Sequence, residues 1–172
     1  MAEGWFHKNR VELKTGMRIV FGFVWLIDGW LKFQLPSPSV FTNLIYAAGQ
    51  GQPQWLMPWF NFWFNVMSQN PQFWVYLIGT GEILLGLGLI FGFVRRITYA
   101  SGFFLSLLVW AVPEGFGGPY GPGSTDIGTG IIYSFVFLLF IIMNSEKGMN
   151  KYSLDGLIEK HIKWWKKISG SA

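Results

Sequence analysis

Four carboxylates stand within or at the ends of apolar runs: Asp28 in FGFVWLIDGWLKF, Glu82 in GTGEILLGLG, Glu114 in VWAVPEGFGG and Asp126 in GPGSTDIG. An ionised acid in hydrocarbon costs about 2.5 kcal/mol or more, so each needs a partner or a task. Lys32 follows Asp28 by four residues, which puts both on one helix face with the acid first. The spacing predicts an Asp28–Lys32 pair with the ammonium snorkelling outward. Glu82 has no basic residue at helical spacing. It is the acid expected to be most buried, and a proton donor or acceptor. Glu82, Asp28, Glu114 and Asp126 are therefore the candidate catalytic residues, as proton-transfer groups. Structural roles compete with this reading. An ion pair can be purely architectural, and an acid such as Asp126 in a first helical turn favours the dipole there.

The segment from Glu114 to Asp126 is rich in Gly and Pro, as turns are. Ser124 or Thr125 suits the N-cap of a following helix. Free N–H groups at such an end hold small anions. Lys32, Ser124 and Thr125 are the candidate substrate-binding residues on that ground.

These side chains need elements to position them. Hydrophobic residues make up 51% of the 172 and charged residues 13%, with 17 Phe and 10 Trp. Mean hydropathy is +0.35. That is the composition of a membrane protein. Four apolar runs, about 15–33, 73–94, 97–112 and 127–143, approach the length needed to cross a bilayer. Runs so continuous predict helices. The fold class expected is all-α, an integral membrane four-helix bundle over 1–146, with a basic tail over 147–172. Twelve of the thirteen basic residues flank the runs on one side, which the positive-inside rule makes cytoplasmic, together with both termini. The exception is Lys32. Glu3 and Glu12 interrupt the basic N-terminal region, so no cleaved signal peptide is expected.

Between Phe33 and Gly81 there is no Asp, Glu, Lys, Arg or His. Such a segment has no charge to change in strong acid, which suits an acidic exterior, and a segment lying flat in the interface would avoid charge equally. Within it, Asn61, Asn65 and Gln69 recur every four residues in PQWLMPWFNFWFNVMSQ, residues Pro53 to Gln69. This predicts an outer interfacial helix with one polar stripe. Its Trp59 and Trp63 are candidates for a lid over a lipid-soluble substrate, whose ring they could stack on. Anchoring in the aromatic belt is the competing role. The tail YSLDGLIEKHIKWWKKI, residues Tyr152 to Ile168, predicts a second, basic amphipathic helix on anionic membrane lipid or on a partner subunit.

The absences narrow the chemistry. There is no cysteine, hence no Fe–S cluster or thiol nucleophile in this chain. His7 and His161 lie outside the apolar runs, so no histidine pair is expected to hold a haem. No Glu-x-x-His pair accompanies the carboxylates, and no metal is expected. The basic residues flank apolar runs, so nucleic acid is not an expected partner. Redox chemistry would need an organic carrier from the membrane.

GWLKF at the end of the first run, GTGEILLGLGLIFG in the second and the glycine-rich loop leading to STDIG resemble the DoxD/DoxX family. The resemblance implies a subunit of an archaeal thiosulfate:quinone oxidoreductase from a thermoacidophile. It implies oxidation of thiosulfate to tetrathionate on the outer side of the plasma membrane. The electron acceptor would be a quinone of the caldariellaquinone type, and the partners a smaller second subunit or further copies of the chain. Two other readings remain open from the residues: a non-catalytic membrane subunit or anchor of a respiratory redox complex, and a proton-coupled transporter with the carboxylates as its relay.

Overall fold

Glycines set the distance between the two longest helices of the computed structural model, which describes residues 4–121, 124, 126–146 and 148–170. Among these residues the chain is all-helical, with nine α-helices and no strand. They are α1 (Trp5–Lys8), α2 (Arg10–Lys32), α3 (Ser39–Gly49), α4 (Met57–Ser68), α5 (Pro71–Phe91), α6 (Arg95–Ala111), α7 (Thr129–Asn144), α8 (Leu154–His161) and α9 (Trp165–Ser169).

Gly22 and Gly29 on α2, and Gly79 and Gly86 on α5, are each seven residues apart and so share a face two turns along. The helices run antiparallel and meet at these positions. A Cβ on Gly86 would stand 2.7 Å from the Gly22 carbonyl oxygen, and one on Gly29 would stand 2.7 Å from that of Gly79. Only glycine allows so close a backbone approach. A second antiparallel pair joins α6 to α7, where Gly130 abuts the Ser106 carbonyl and Asn144 accepts from Arg95 Nε at 3.0 Å. One core unites the two pairs: Phe21 and Trp25 of α2, Leu85 and Leu89 of α5, Tyr99 of α6, and Phe137 and Phe140 of α7.

α5, with 21 residues, is the one helix among the described residues that is long and apolar enough to cross a membrane; α7 is apolar but shorter. α2 begins at Arg10 rather than near Thr15, because Lys14 and Arg18 continue the helix instead of flanking it. α6 begins at Arg95 for the same reason.

The uncharged segment holds two helices where the polar stripe predicted one. α4 is preceded by a 3-10 turn, Gln54–Leu56, and by the unforeseen α3. SVFTNLIYAAG carries no charge and little polar periodicity, so no face is marked in the sequence. Phe41 and Ile45 of α3, Met67 of α4, Val75 of α5 and Val112 after α6 form a second core beneath it. Asn61, Asn65 and Gln69 are all exposed, in line with the stripe.

The tail departs further from expectation. It forms two short helices, not one amphipathic helix, and folds onto the α5–α6 connection. Asp155 is fully buried, and its carboxylate accepts from the backbone N–H of Val94 at 2.9 Å and of Arg95 at 2.8 Å. The indole Nε1 of Trp165 donates to the same carboxylate at 2.8 Å. Val94 has φ of 48°, a left-handed conformation that a β-branched residue rarely adopts, and the bond from Asp155 holds it there. Arg18 caps the other side of the turn, donating to the carbonyls of Leu89, Ile90 and Tyr152.

Candidate functional site

Two polar centres lie at opposite ends of the long helices. The first is Lys32 with Glu82 and Asp28. Lys32 is at the end of α2, Glu82 midway along α5, and the antiparallel glycine contact brings the two helices close enough for Lys32 to cross. Its Nζ is 3.0 Å from Glu82 Oε2, and the Glu82 side chain is 3% exposed. The pair is ionic in distance, but its angles leave Oε2 without a well-formed hydrogen bond. This corrects the expected Asp28–Lys32 pair; Glu82 has no basic residue at helical spacing on its own helix, and its cation comes from α2. The helical spacing of Asp28 and Lys32 is real, but Lys32 turns inward, because Glu82 is the more deeply desolvated acid and gains more from a cation. Asp28 is only half-buried and forms no hydrogen bond or ion pair with the described residues, though its charge acts on Glu82. Trp25, three residues before Asp28, is 2% exposed, and its Nε1 has no acceptor among the described residues.

Glu114 and Asp126 meet at the start of α7. Glu114 Oε2 accepts from Gly130 N at 2.8 Å and so satisfies one of the free N–H groups of that helix. Asp126 Oδ1 accepts from Gly128 N at 2.7 Å in a local turn. The N-cap is Gly128, so Ser124 does not cap α7 as expected; its hydroxyl bridges Gly121 N and the Pro119 carbonyl. Glu114 reaches the helix end from the close of α6, a tertiary contact that displaces any local cap. Thr125 lies outside the described residues. Tyr133, one turn into α7, packs its ring against Phe21 and Trp25 of α2, at 5.1 and 5.9 Å.

Trp59 and Trp63 stand on the inner side of α4. Trp59 Nε1 donates to the Ala111 carbonyl at 2.8 Å and its ring packs near Phe116, at 6.2 Å. Trp63 Nε1 is buried without an acceptor among the described residues. These rings tie α4 to the end of α6.

The second centre is at the basic end and was not foreseen. Lys14, Arg18 and Arg95 are at most 3% exposed. Arg95 is 3.5 Å from Asp155 and 3.0 Å from Glu159. Lys14 Nζ donates to Asn150 Oδ1 at 2.8 Å and to the Met143 carbonyl at 3.1 Å. Burial, and then the charges of Arg95 and Arg18, pull the Lys14 ammonium from its usual 10.5 down to about 8, against the opposing charge of Glu146. The sequence signal for this centre was slight: Ser153, two residues before Asp155, is a good N-cap, and its Oγ accepts from Gly156 N at 3.1 Å. The acid to be paired with Arg95 lies 60 residues away, out of reach of local patterns.

No group of three or more His, Cys, Asp or Glu side chains among the described residues is placed to hold a metal ion. The first centre can exchange protons and, through Lys32, meet an anion. The second holds the tail.

Antiparallel helices locked through glycines around a carboxylate–ammonium pair, one of them apolar and long enough to span, define an all-helical protein with one candidate membrane helix among the described residues. The chain belongs to the DoxX family, whose model matches residues 13–113. The match takes in Asp28, Lys32 and Glu82 and ends one residue before Glu114. Neither a curated protein nor a solved structure matches the chain.

Proposed function

We propose that the chain is a multi-pass subunit of a thiosulfate:quinone oxidoreductase in the plasma membrane. α2 beyond Lys14, α5, α6 and α7 cross the bilayer with both termini cytoplasmic and the α3–α4 segment outside. Two thiosulfates lose two electrons and join through a new S–S bond as tetrathionate; a quinone takes the two electrons and two protons to become quinol. The observation that carries the reading is the Lys32–Glu82 pair beside Asp28. When Glu82 is protonated it no longer holds Lys32, and the ammonium turns to an anion arriving from outside. When Glu82 releases its proton, the pair re-forms. Asp28, half-buried and without a partner among the described residues, refills Glu82, and Glu114 and Asp126 at the α7 start supply the outer end of the route. Family membership supports a membrane-associated chain, and the resemblance of GWLKF and GTGEILLGLGLIFG supports the sulfur chemistry.

The test is thiosulfate-dependent reduction of decylubiquinone by the purified chain, with and without co-purifying partners. Glu82→Gln keeps the helical fold and loses quinone reduction; near-normal turnover in that variant rejects the role of Glu82.

A second reading, a non-catalytic subunit that docks a partner or the membrane, is favoured by the tail. Lys160, Lys163, Lys166 and Lys167 are exposed, and Trp164 beside them is 60% exposed. Activity absent from both preparations, with the fold intact, selects it.

A further inference from the structure

A cavity of about 330 Å³ opens between α3 and α4, on the side of α4 away from Trp59. Its walls include the rings of Tyr46, Phe60 and Phe64, and its polar groups are the carboxamides of Gln50, Asn61 and Asn65. We infer that this cavity binds a neutral ring with hydrogen-bonding oxygens, the headgroup of a membrane quinone. The inference rests on the reading of the chain as one that engages a quinone, and it moves the ring site from Trp59 and Trp63 to the opposite face of α4.

Charge decides the class of ligand. No residue from Phe33 to Gly81 is Asp, Glu, Lys, Arg or His, so these walls hold no cation to neutralise thiosulfate or a phosphate. Burying an anion beside aromatic rings without a cation is strongly unfavourable. A neutral ring suffers no such cost. Carboxamides both donate and accept, so they serve the carbonyls of a quinone and the hydroxyls of a quinol alike. Asn61 and Asn65 stand on one face of α4, four residues and therefore about 6 Å apart along its axis. That spacing suits oxygens at opposite ends of one six-membered ring.

Shape agrees with charge. The volume is near the low end for ligand pockets, enough for a single ring with its lipid tail left outside. Tyr46 and Phe64 are 5.9 Å apart at a tilt of 55°, and Tyr46 is 59% exposed, so it forms a rim rather than a floor. Phe60 is 2% exposed and gives the floor. It approaches α3 closely because position 49 is glycine; a Cβ there would stand 3.1 Å from that of Phe60. Trp59 and Trp63 do not line this space: Trp59 turns toward the Ala111 carbonyl, and Trp63 packs against the second core.

The experiment uses the full chain in detergent. Decylubiquinone is titrated against tryptophan fluorescence, and an azido-quinone is photolysed on the protein and its peptide adducts mapped. Asn61 and Asn65 are exposed, so Asn61→Asp and Asn65→Asp keep side-chain volume and fold while adding charge. Each is expected to weaken decylubiquinone binding by about tenfold or more, with adducts of the unaltered chain on the peptides of α3 and α4. Phe64→Leu, which opens the wall and leaves the amides, is expected to weaken binding as well. Unchanged affinity in all three variants, adducts confined to other helices, or no binding by the unaltered chain would overturn the assignment. Binding and turnover are separate readouts: a ring site elsewhere leaves the oxidoreductase reading standing, and a chain that binds the ring here yet never turns over thiosulfate refutes that reading alone.

Discussion

Lys32, one turn beyond Asp28 on the same helix, reaches past it to Glu82 on the neighbouring helix and closes to 3.0 Å. The aspartate in the first apolar run is thus left without an ion pair among the described residues, and the glutamate in the second holds the cation. Removing one partner of a buried pair costs about 3–5 kcal/mol, while removing both costs far less. Lys32→Met is therefore expected to lower the thermal midpoint strongly, and Lys32→Met with Glu82→Leu to recover most of the loss. Additive losses in a thermal-shift series would mean that the two groups do not depend on each other.

Glycine at the α2–α5 contact makes a sharper prediction. Gly29→Ala and Gly86→Ala place a methyl against a backbone carbonyl and are expected to destabilise by about 1–3 kcal/mol. Gly81 lies on the same helix but has nothing within 4 Å of a Cβ built there. Gly81→Ala is expected to be neutral, or stabilising by up to about 1 kcal/mol through helix propensity. Equal effects at positions 81 and 86 would be incompatible with the close helix contact.

Asp155 joins the tail to the start of α6. Asp155→Ala strands Arg95, which is 1% exposed, without one of its two carboxylates, and frees the N–H groups of Val94 and Arg95. The tail of this variant is expected to be cleaved by trypsin after Lys160 and Lys163 much faster than that of the unaltered chain. A tail equally resistant in both would show that Asp155 does not hold it.

Glu114 satisfies the start of α7 from a distance. Glu114→Ala is expected to cost about 0.5–2 kcal/mol, the usual value of a lost cap. Hydrogen exchange at Gly130 and its neighbours reports it: faster exchange confined to the first turn of α7 is the expected pattern, and none would leave Glu114 without a capping role.

Lys14 gives a pH dependence with a definite sign. Its ammonium titrates near 8 in the folded chain and near 10.5 unfolded. Between those values the unfolded chain binds more protons, so stability rises with pH across that window and is flat through this group below it. Lys14→Met is expected to remove that rise. Thermal midpoints measured from pH 7 to pH 10 check it, and a midpoint that falls over this range in the unaltered chain alone would reverse the sign.

The apolar runs, the clustering of basic residues and the stripe of Asn61, Asn65 and Gln69 are local patterns, and each was legible. Periodicity and charge act over a few residues, so the long apolar helices and the burial of Glu82 are readable in the sequence, whereas α3 and the break between α8 and α9 are not. The helix ends at Arg10 and Arg95 were misplaced for a physical reason: Lys14, Arg18 and Arg95 read as solvated flanks until the carbonyls and acids that receive them are in place.

What the sequence by itself determined is an all-helical, apolar chain with a basic end, an uncharged segment and acids at defined positions along its helices. Which acid meets which cation was decided only by the tertiary structure. The seven-residue spacing of glycines lets two backbones touch, and that contact brings Lys32 to Glu82 instead of Asp28. The fold of the tail likewise brings Asp155 to Arg95 across 60 residues, and the end of α6 brings Glu114 to α7. Charge pairing depends on distance in space and on the water removed around each group, and neither is set by position along the chain.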